Sequence, residues 1–214
     1  MAESKRFLSV TGAVFAVAFG IGLGLLGPEV GAFGDSDRAY VEHFSGGSQR
    51  GADIAGSILL LAAAAAFMYF THLIASIPAE ALRQSAPSNL VRTAGMLAGI
   101  FMAVAALALV TVPLSISMGE FFDEEGKAFG EGQAVLPQFG YAALVLGAMI
   151  PAAVAIVAAA RLGLFPPWLT RASLPLAVLL AVTSGSVVAM ALLPIWVAMA
   201  TVVLARAEDP PGRS

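Results

Sequence analysis

Long uncharged stretches alternate with short charged segments along the whole of this chain. An ionised side chain at the centre of a membrane helix costs roughly 2.5–3.5 kcal/mol, so membrane spans are expected where charges are missing. Each uncharged stretch exceeds the roughly 20 residues that an α-helix needs to cross about 30 Å of hydrocarbon. The pattern therefore predicts an all-α, polytopic transmembrane helix bundle. The stretches lie between Arg6 and Glu29, Asp53 and Glu80, Arg92 and Glu120, Glu131 and Arg161, and Arg171 and Arg206.

The first four stretches each predict one membrane span, and the fifth predicts two. As a single helix, the 34 uncharged residues after Arg171 would be about 51 Å long, well beyond the hydrocarbon thickness. The polar residues at 183–186 predict a turn in the middle of this stretch. We expect six spans in a single transmembrane domain, with five spans as the competing topology. The predicted spans are residues 8–26, 54–74, 94–116, 139–159, 165–182 and 186–204, and the predicted outer loops are residues 29–53 and 117–137.

The basic residues predict which side of the membrane each loop occupies. With six spans and a cytoplasmic N-terminus, eight Lys and Arg residues fall in cytoplasmic segments and three in the outer loops, which are acidic. This positive-inside distribution also places the C-terminus in the cytoplasm, whereas five spans would put Arg206 and Arg213 outside. Arg outnumbers Lys nine to two in an Ala- and Gly-rich chain, a composition typical of GC-rich bacterial genomes. We therefore expect a multi-pass protein of the bacterial plasma membrane.

Small residues recur every four positions in the first and third predicted spans. Such spacing lets two helix backbones approach closely, which is the usual basis of helix packing in membranes. Two interpretations are open: packing inside one bundle, or the seam of a homo-oligomer. We favour internal packing, because a six-helix protein has many interfaces of its own. The residues are Gly12, Ala16, Gly20 and Gly24 in the first span, and Gly95, Gly99 and Ala103 in the third.

Prolines lie in the interior of the predicted spans at Pro113, Pro151, Pro175 and Pro194. Each removes a backbone hydrogen bond and bends its helix. Pro151 follows Gly147 by four residues, so the carbonyl that loses its partner belongs to the least bulky residue. Such a kink suits a hinge in a transport cycle, but it also suits a static bend, which membrane helices tolerate. We favour the static bend.

His72 is the one histidine within a predicted span. Ala65 and Met68 share its helix face, which predicts that it points into the bundle. Ionisable groups inside a membrane are candidates for a haem ligand, a quinone contact or a proton relay. A haem site between helices usually needs a second axial histidine, and the other histidine, His43, falls in an outer loop. We therefore favour a hydrogen-bonded or interfacial His72 and expect no cofactor, with cofactor binding as the alternative.

Other chemistry has no support in the sequence. The chain has no P-loop, zinc signature, nucleophile elbow or basic patch for nucleic acid. The acidic sequence at 120–125 lacks the ligand spacing and the glycine of a calcium loop, so we expect a solvated loop there. The two outer loops are too short to bury cores of their own. Function must therefore lie in the helices and their surfaces.

One set of landmarks is similar to a known family. Residues 35–50 lead into an Ala- and Leu-rich helix, the sequence Leu-Gly-Leu-Phe-Pro-Pro-Trp-Leu occupies 162–169, and Leu-Pro-Ile-Trp at 193–196 precedes Arg206. In these landmarks the chain resembles an uncharacterised family of six-helix bacterial membrane proteins. The resemblance covers most of the chain and implies six spans. It implies no activity, cofactor or site residue.

Three classes of function are open. The first is a non-enzymatic integral membrane protein, an accessory or regulatory subunit that contacts the lipid bilayer and either a membrane-protein partner or a second copy of itself. The second is a small transporter or channel-like protein, which kinked helices would suit. The third is a membrane redox protein that holds haem or quinone near His72. We favour the first, because no catalytic motif is present and the predicted cytoplasmic side carries no domain.

Overall fold

A computed structural model describes residues 2–26, 47–77, 85–118, 135–183 and 186–206, except for the side chains of residues 2–5 and 187–189. This part of the chain is all-helical and contains no strand. Helix α4 has three segments, because a π-helical stretch, Ala143–Ala148, separates Val135–Ala142 from Met149–Ala160. The helices are α1 (Ala2–Leu26), α2 (Gly47–Ser76), α3 (Ala86–Ser117), α4 (Val135–Ala160), α5 (Pro167–Val182) and α6 (Val187–Arg206).

Helices α1 to α4 are long and apolar enough to cross a membrane, which indicates a membrane protein. The last long apolar stretch forms two helices instead of one. Helix α5 ends at Val182 and α6 begins at Val187, on either side of the polar residues that predicted a turn. At 1.5 Å per residue, the 16 residues of α5 extend about 24 Å and the 20 residues of α6 about 30 Å.

Four helices begin earlier than the hydrophobic pattern predicts, and α2 and α3 do so by the largest margin. Helix α2 begins at Gly47 and α3 at Ala86, so each includes at least seven residues that precede its predicted span. At the start of α3, Ser85 caps the helix by accepting a hydrogen bond from the backbone N–H of Ser88, and Pro87 lies in the first turn. These capping signals lie outside the apolar core of the span, so a search for uncharged stretches does not detect them.

Each helix packs against its neighbours in the chain, and α1 also packs against α6. The contacts run in the order α6, α1, α2, α3, α4, α5, and a smaller contact between α5 and α6 closes the ring. Contacts between residues far apart in sequence show that neighbouring helices are antiparallel. Gly22 of α1 lies against Gly56 of α2, for example, and Gly12 lies against Thr201 of α6.

The antiparallel packing gives the bundle two chemically different ends. We call the end where α1 and α3 begin, and where α2, α4 and α6 finish, the basic end. Among the arginine side chains that the structure describes, Arg50 alone lies at the opposite end, near the start of α2. The basic end holds Arg6, Arg92, Arg161, Arg171 and Arg206.

Aromatic rings fill the interface between α1 and α2. The Phe15 ring lies 5.2 Å from Phe19 and 5.0 Å from Phe67, measured between ring centroids, and Phe70 is fully buried beside them. Ring pairs at this spacing add about 0.5–1.5 kcal/mol beyond the area they bury. In a bilayer this packing matters more than in water, because lipid tails are as apolar as the rings and give little hydrophobic driving force between helices.

A buried hydrogen-bond chain connects α5 to α6. Trp196 Nε1 donates to Ser173 Oγ over 3.0 Å, and Ser173 Oγ donates to the Leu169 carbonyl over 2.7 Å. The Phe165 ring contacts the Trp196 ring edge to face, with 5.8 Å between their centroids. The turn before α5 includes Gly163 at φ 69°, a left-handed conformation that glycine adopts without steric cost. The Trp196 indole therefore connects α5 to α6, in addition to the larger contact that α5 makes with α4.

Candidate functional site

The glycines of α3 lie in close contact with α2. Gly95 faces the side chain of Thr71 on α2, and Gly99 faces the side chain of Met68 and the Ala64 carbonyl. A β-carbon at either glycine would overlap these atoms, so the absence of a side chain sets the distance between α2 and α3. Ala103, the third residue of the predicted stripe, is half-buried. Farther along, Ser88 Oγ donates to the Ala75 carbonyl over 2.8 Å and connects the same two helices at the basic end.

The glycines of α1 divide into two groups. Gly12 is buried against Thr201 of α6 and Phe70 of α2, and Ala16 is half-buried. Gly20 and Gly24 are exposed, and a β-carbon at either would meet nothing within 4 Å. The four residues of the predicted stripe therefore do not share one packing role.

A pair of glycines that the sequence analysis did not select joins α1 to α2. A β-carbon on Gly22 would lie 3.0 Å from the Gly56 carbonyl oxygen, and one on Gly56 would lie 2.8 Å from the Gly22 carbonyl oxygen. Neither glycine lies four residues away from a residue of the predicted stripe. The signal for this contact is a pair of facing glycines on two helices, which becomes visible only when the helix pairing is known.

An apolar cavity of about 340 Å³ lies beside the exposed glycines of α1. It is bounded by α1, α3, α4 and α6 in the half of the bundle away from the basic end. Tyr141 contributes its one phenol, and the other walls are glycine, proline or apolar side chains. The residues that line it include Phe19, Gly20, Gly24, Tyr141, Met190 and Pro194.

A second groove, of about 430 Å³, runs along α4 between α3 and α5. Its floor consists of the buried alanines Ala153, Ala158 and Ala177. Exposed aliphatic side chains, such as Val154 on α4, form the rim. Arg161 is the one charged residue in its lining, and it lies at the end of α4. The groove is therefore apolar along its length and cationic at the basic end.

His72 lies on the outer side of α2, which differs from the inward orientation that we expected. The side chain is exposed, and so are Ala65 and Tyr69 near it on the helix. The buried side of α2 at this level consists of Phe70 and Thr71 instead. Helix α2 carries apolar residues around its whole circumference here, so the sequence pattern does not predict which side of the helix faces the bundle. His43 lies outside the described residues, and in the described part of the chain no group of three or more His, Asp or Glu side chains is arranged to hold a metal ion.

Two polar side chains are buried near the start of α2, where the sequence predicted a loop boundary. Asp53 is 1% exposed, and its Oδ1 accepts a hydrogen bond from Gln49 Nε2 over 3.3 Å. Ser57, one turn farther along, is fully buried, and its hydroxyl has no hydrogen-bond partner among the described residues. Asp53 lies inside α2 because the helix begins at Gly47, so the charge-free interval underestimates the length of this helix.

The four prolines occupy helix interiors with different surroundings. Pro113 and Pro194 are buried, Pro151 is half-buried and Pro175 is exposed. The π-helical stretch of α4 ends three residues before Pro151, and Gly147 within it faces the Phe101 ring of α3. A β-carbon at Gly147 would overlap that ring, so the glycine permits close packing at the point where the helix geometry changes.

No protein-family model, curated protein or solved structure matches the chain. The landmarks that resemble the six-helix bacterial family therefore remain an interpretation of the sequence alone. Any proposal about function has to rest on the helix surfaces, the two cavities and the distribution of charge.

Proposed function

We propose that this chain is a non-enzymatic integral membrane protein that acts as an accessory or regulatory subunit through helix–helix contacts. The observation that carries the proposal is the open space beside Gly20 and Gly24 on α1. One third of the α1 span is buried, against half or more of each of the other three long helices. The least covered of these helices thus carries two glycines, four residues apart, that pack against no other described residue.

A glycine in the interior of a helix lowers the stability of that helix. A glycine in a helix interior is less favourable than alanine by roughly 0.8–1.0 kcal/mol, so two glycines that serve no contact weaken α1 without compensation. Glycines at this spacing allow another helix to approach the backbone closely. A helix of a partner protein, or of a second copy, seated against this part of α1 would supply the missing contact.

The proposed topology is six spans with both termini in the cytoplasm of a bacterial cell. The clustering of described arginines at one end of the bundle supports this orientation, because basic residues favour the cytoplasmic side. The division of the last apolar stretch into α5 and α6 supports an even number of spans. The proposed outer side then contains the connections 27–46 and 119–134, which lie outside the described residues.

The two alternative functions have weaker support. A transport path needs polar groups or water along its walls, whereas the cavity beside Gly20 and the groove along α4 are almost entirely apolar. A redox site at His72 needs a second ligand and an enclosed pocket, whereas His72 is exposed. For these reasons the accessory role is the one that we put forward.

The test is purification of the tagged protein from its native membrane in mild detergent. We expect a second protein, or a second tagged copy, in a fixed ratio with the wild-type chain. The double variant Gly20→Leu and Gly24→Leu should lose this component, because two leucines fill the space beside α1. The control Ala13→Leu lies seven residues from Gly20 on the same exposed side of α1, outside the cavity lining, and should retain it.

Two results would contradict the proposal. The first is a wild-type protein that purifies alone, at native expression level, in several mild detergents. The second is a double variant that retains the same component in the same ratio as the wild type, which would show that the contact lies elsewhere. Substrate turnover by the isolated protein, abolished by a point substitution, would replace the accessory role with an enzymatic one.

A further inference from the structure

The groove between α3, α4 and α5 combines features that match a single lipid molecule. It is apolar along its length, it is open at the side, and one end carries the exposed guanidinium of Arg161. We propose that this groove binds an anionic phospholipid of the surrounding membrane, with an acyl chain along α4 and the phosphate at Arg161.

The length of the groove agrees with the depth of one membrane leaflet. On α4 the lining runs from Ile150 to Ala158 and then to Arg161. From Ile150 to the end of the helix at Ala160, ten helical steps rise about 15 Å, which is half of a hydrocarbon layer of about 30 Å. An acyl chain that follows this wall from the headgroup level therefore ends near the middle of the bilayer.

Three buried alanines make the space for the chain. Ala153 and Ala158 on α4 and Ala177 on α5 are at most 5% exposed, and they form the floor of the groove. Leu90 and Val178 rise beside them as exposed aliphatic walls. A smooth, narrow, aliphatic trough of this kind offers contacts along a methylene chain and no polar group to orient a solute within the membrane.

Electrostatics selects the headgroup. Among the described side chains the one carboxylate is Asp53, which lies at the other end of the bundle, so no described acidic side chain neutralises Arg161. The first residues of α3, Ala86 and Pro87, also line the groove. A helix N-terminus carries about half a positive charge, so the start of α3 offsets the partial negative charge at the end of α4 and leaves Arg161 as the net charge that attracts a phosphate.

Lipid is favoured over a protein helix as the occupant. Arg161 lies at the depth of the headgroups when α4 spans the bilayer, and a guanidinium is well suited to bind phosphate at this level. The surrounding bilayer supplies acyl chains to every uncovered surface of the bundle. The groove differs from these other surfaces in its cationic end. We therefore expect the groove to bind anionic lipid in preference to zwitterionic lipid.

The test uses the full-length protein in nanodiscs of phosphatidylcholine that contain a small fraction of a lipid with a photoreactive group in its acyl chain. One sample carries this group on phosphatidylglycerol and the other on phosphatidylcholine. After irradiation, mass spectrometry of peptides measures crosslinking to residues 150–158 and 177–181 relative to the exposed side of α1. We expect the phosphatidylglycerol probe to be enriched at the groove by about fivefold, because a basic residue near a membrane contributes about 1 kcal/mol to anionic-lipid binding.

Two pairs of variants separate charge from structure. Arg161→Gln should remove the enrichment, whereas Arg171→Gln, at an exposed arginine outside the groove lining, should keep it. Ala86→Asp should also lower the enrichment by repelling phosphate, although an acidic residue in the first turn stabilises a helix. Ala86→Asn has nearly the same shape without the charge and should bind as the wild type does.

Three outcomes would overturn the proposal. Equal labelling by the two lipids at the groove would show that the charge does not select the headgroup. Equal effects of Arg161→Gln and Arg171→Gln would assign the preference to the basic end as a whole. Crosslinks between residues 150–158 and a second protein chain, in place of lipid, would show that a helix occupies the groove.

Discussion

At the scale of single residues, glycine positions decide how closely the helices approach. Gly95 and Gly99 meet α2 side chains, and Gly22 meets the carbonyl of Gly56, so these glycines cannot accept a β-carbon without movement of a neighbour. Gly51 near the start of α2 has open space around it. The same substitution therefore has opposite expected effects at different glycines of one chain.

Gly95→Ala is expected to destabilise the protein. The new β-carbon would overlap the branched β-carbon of Thr71, which is fixed to the backbone of α2 and cannot rotate away. Overpacking of this kind typically costs 1–3 kcal/mol in the free energy of unfolding. The matched control Gly51→Ala is expected to be neutral or to stabilise by up to about 1 kcal/mol through helix propensity. Reversible unfolding in mixed micelles, followed by circular dichroism, measures the free energy of unfolding of both variants. Equal stabilities of the two variants would contradict this account of the α2–α3 contact.

Side-chain orientation is the part of the site that the sequence predicts least well. Gly95 and Gly99 were selected because their spacing is a local property of one helix, and they do contact α2. The side on which His72 lies depends on where α1 and α3 pack, and α2 is too uniformly apolar to reveal it. The glycine pair of Gly22 and Gly56 belongs to two helices at once, so no pattern within either helix identifies it.

At the scale of helices, the ends are harder to predict than the apolar centres. The apolar intervals located all six helices of the described chain, because the cost of burying charge marks each centre. The beginnings of α2 and α3 depend on capping and on tertiary burial. Asp53 illustrates this dependence: it was assigned to a loop because it is charged, and it lies buried within α2 beside Gln49.

The pairing of α5 with α6 rests on a small contact that includes one buried hydrogen bond, from Trp196 Nε1 to Ser173 Oγ. We expect Ser173→Ala to destabilise the α5–α6 pair by about 1–3 kcal/mol, since it leaves the buried Trp196 indole N–H without its acceptor. Trp196→Phe removes the donor and should itself be destabilising through lost packing.

A double-mutant cycle isolates the hydrogen bond from the packing. With Trp196→Phe already present, Ser173→Ala should cost less than it does alone, and the coupling energy should be about 0.5–1.5 kcal/mol. The same unfolding measurement in micelles provides the four stabilities. Strictly additive effects would mean that the contact between the indole and Ser173 Oγ contributes nothing to holding α5 against α6.

At the scale of the whole molecule, the separation of charge is the property that links fold to membrane orientation. The described arginines gather at one end because the helices are antiparallel and the basic residues lie near the starts of α1, α3 and α5 but near the ends of α4 and α6. The proposed lipid groove and the proposed contact on α1 use opposite halves of the bundle. The groove carries its charge at the basic end, whereas the cavity beside Gly20 lies in the other half and has no charged residue in its lining.

The proposed topology can be measured directly with introduced cysteines. Because the chain contains no cysteine, a single introduced cysteine is labelled without background. In intact cells, a membrane-impermeant maleimide should label Ser36→Cys, which lies in the first proposed outer connection. It should fail to label Ser214→Cys until the membrane is permeabilised, because six spans place the C-terminus inside. Labelling of Ser214→Cys in intact cells, with Ser36→Cys labelled as well, would instead require five spans. With five spans, the α5–α6 turn would fail to reach the outer surface, and Ser186→Cys would stay unlabelled. With six spans, the turn joins two helices that each cross the bilayer, so Ser186→Cys should react with the reagent from outside.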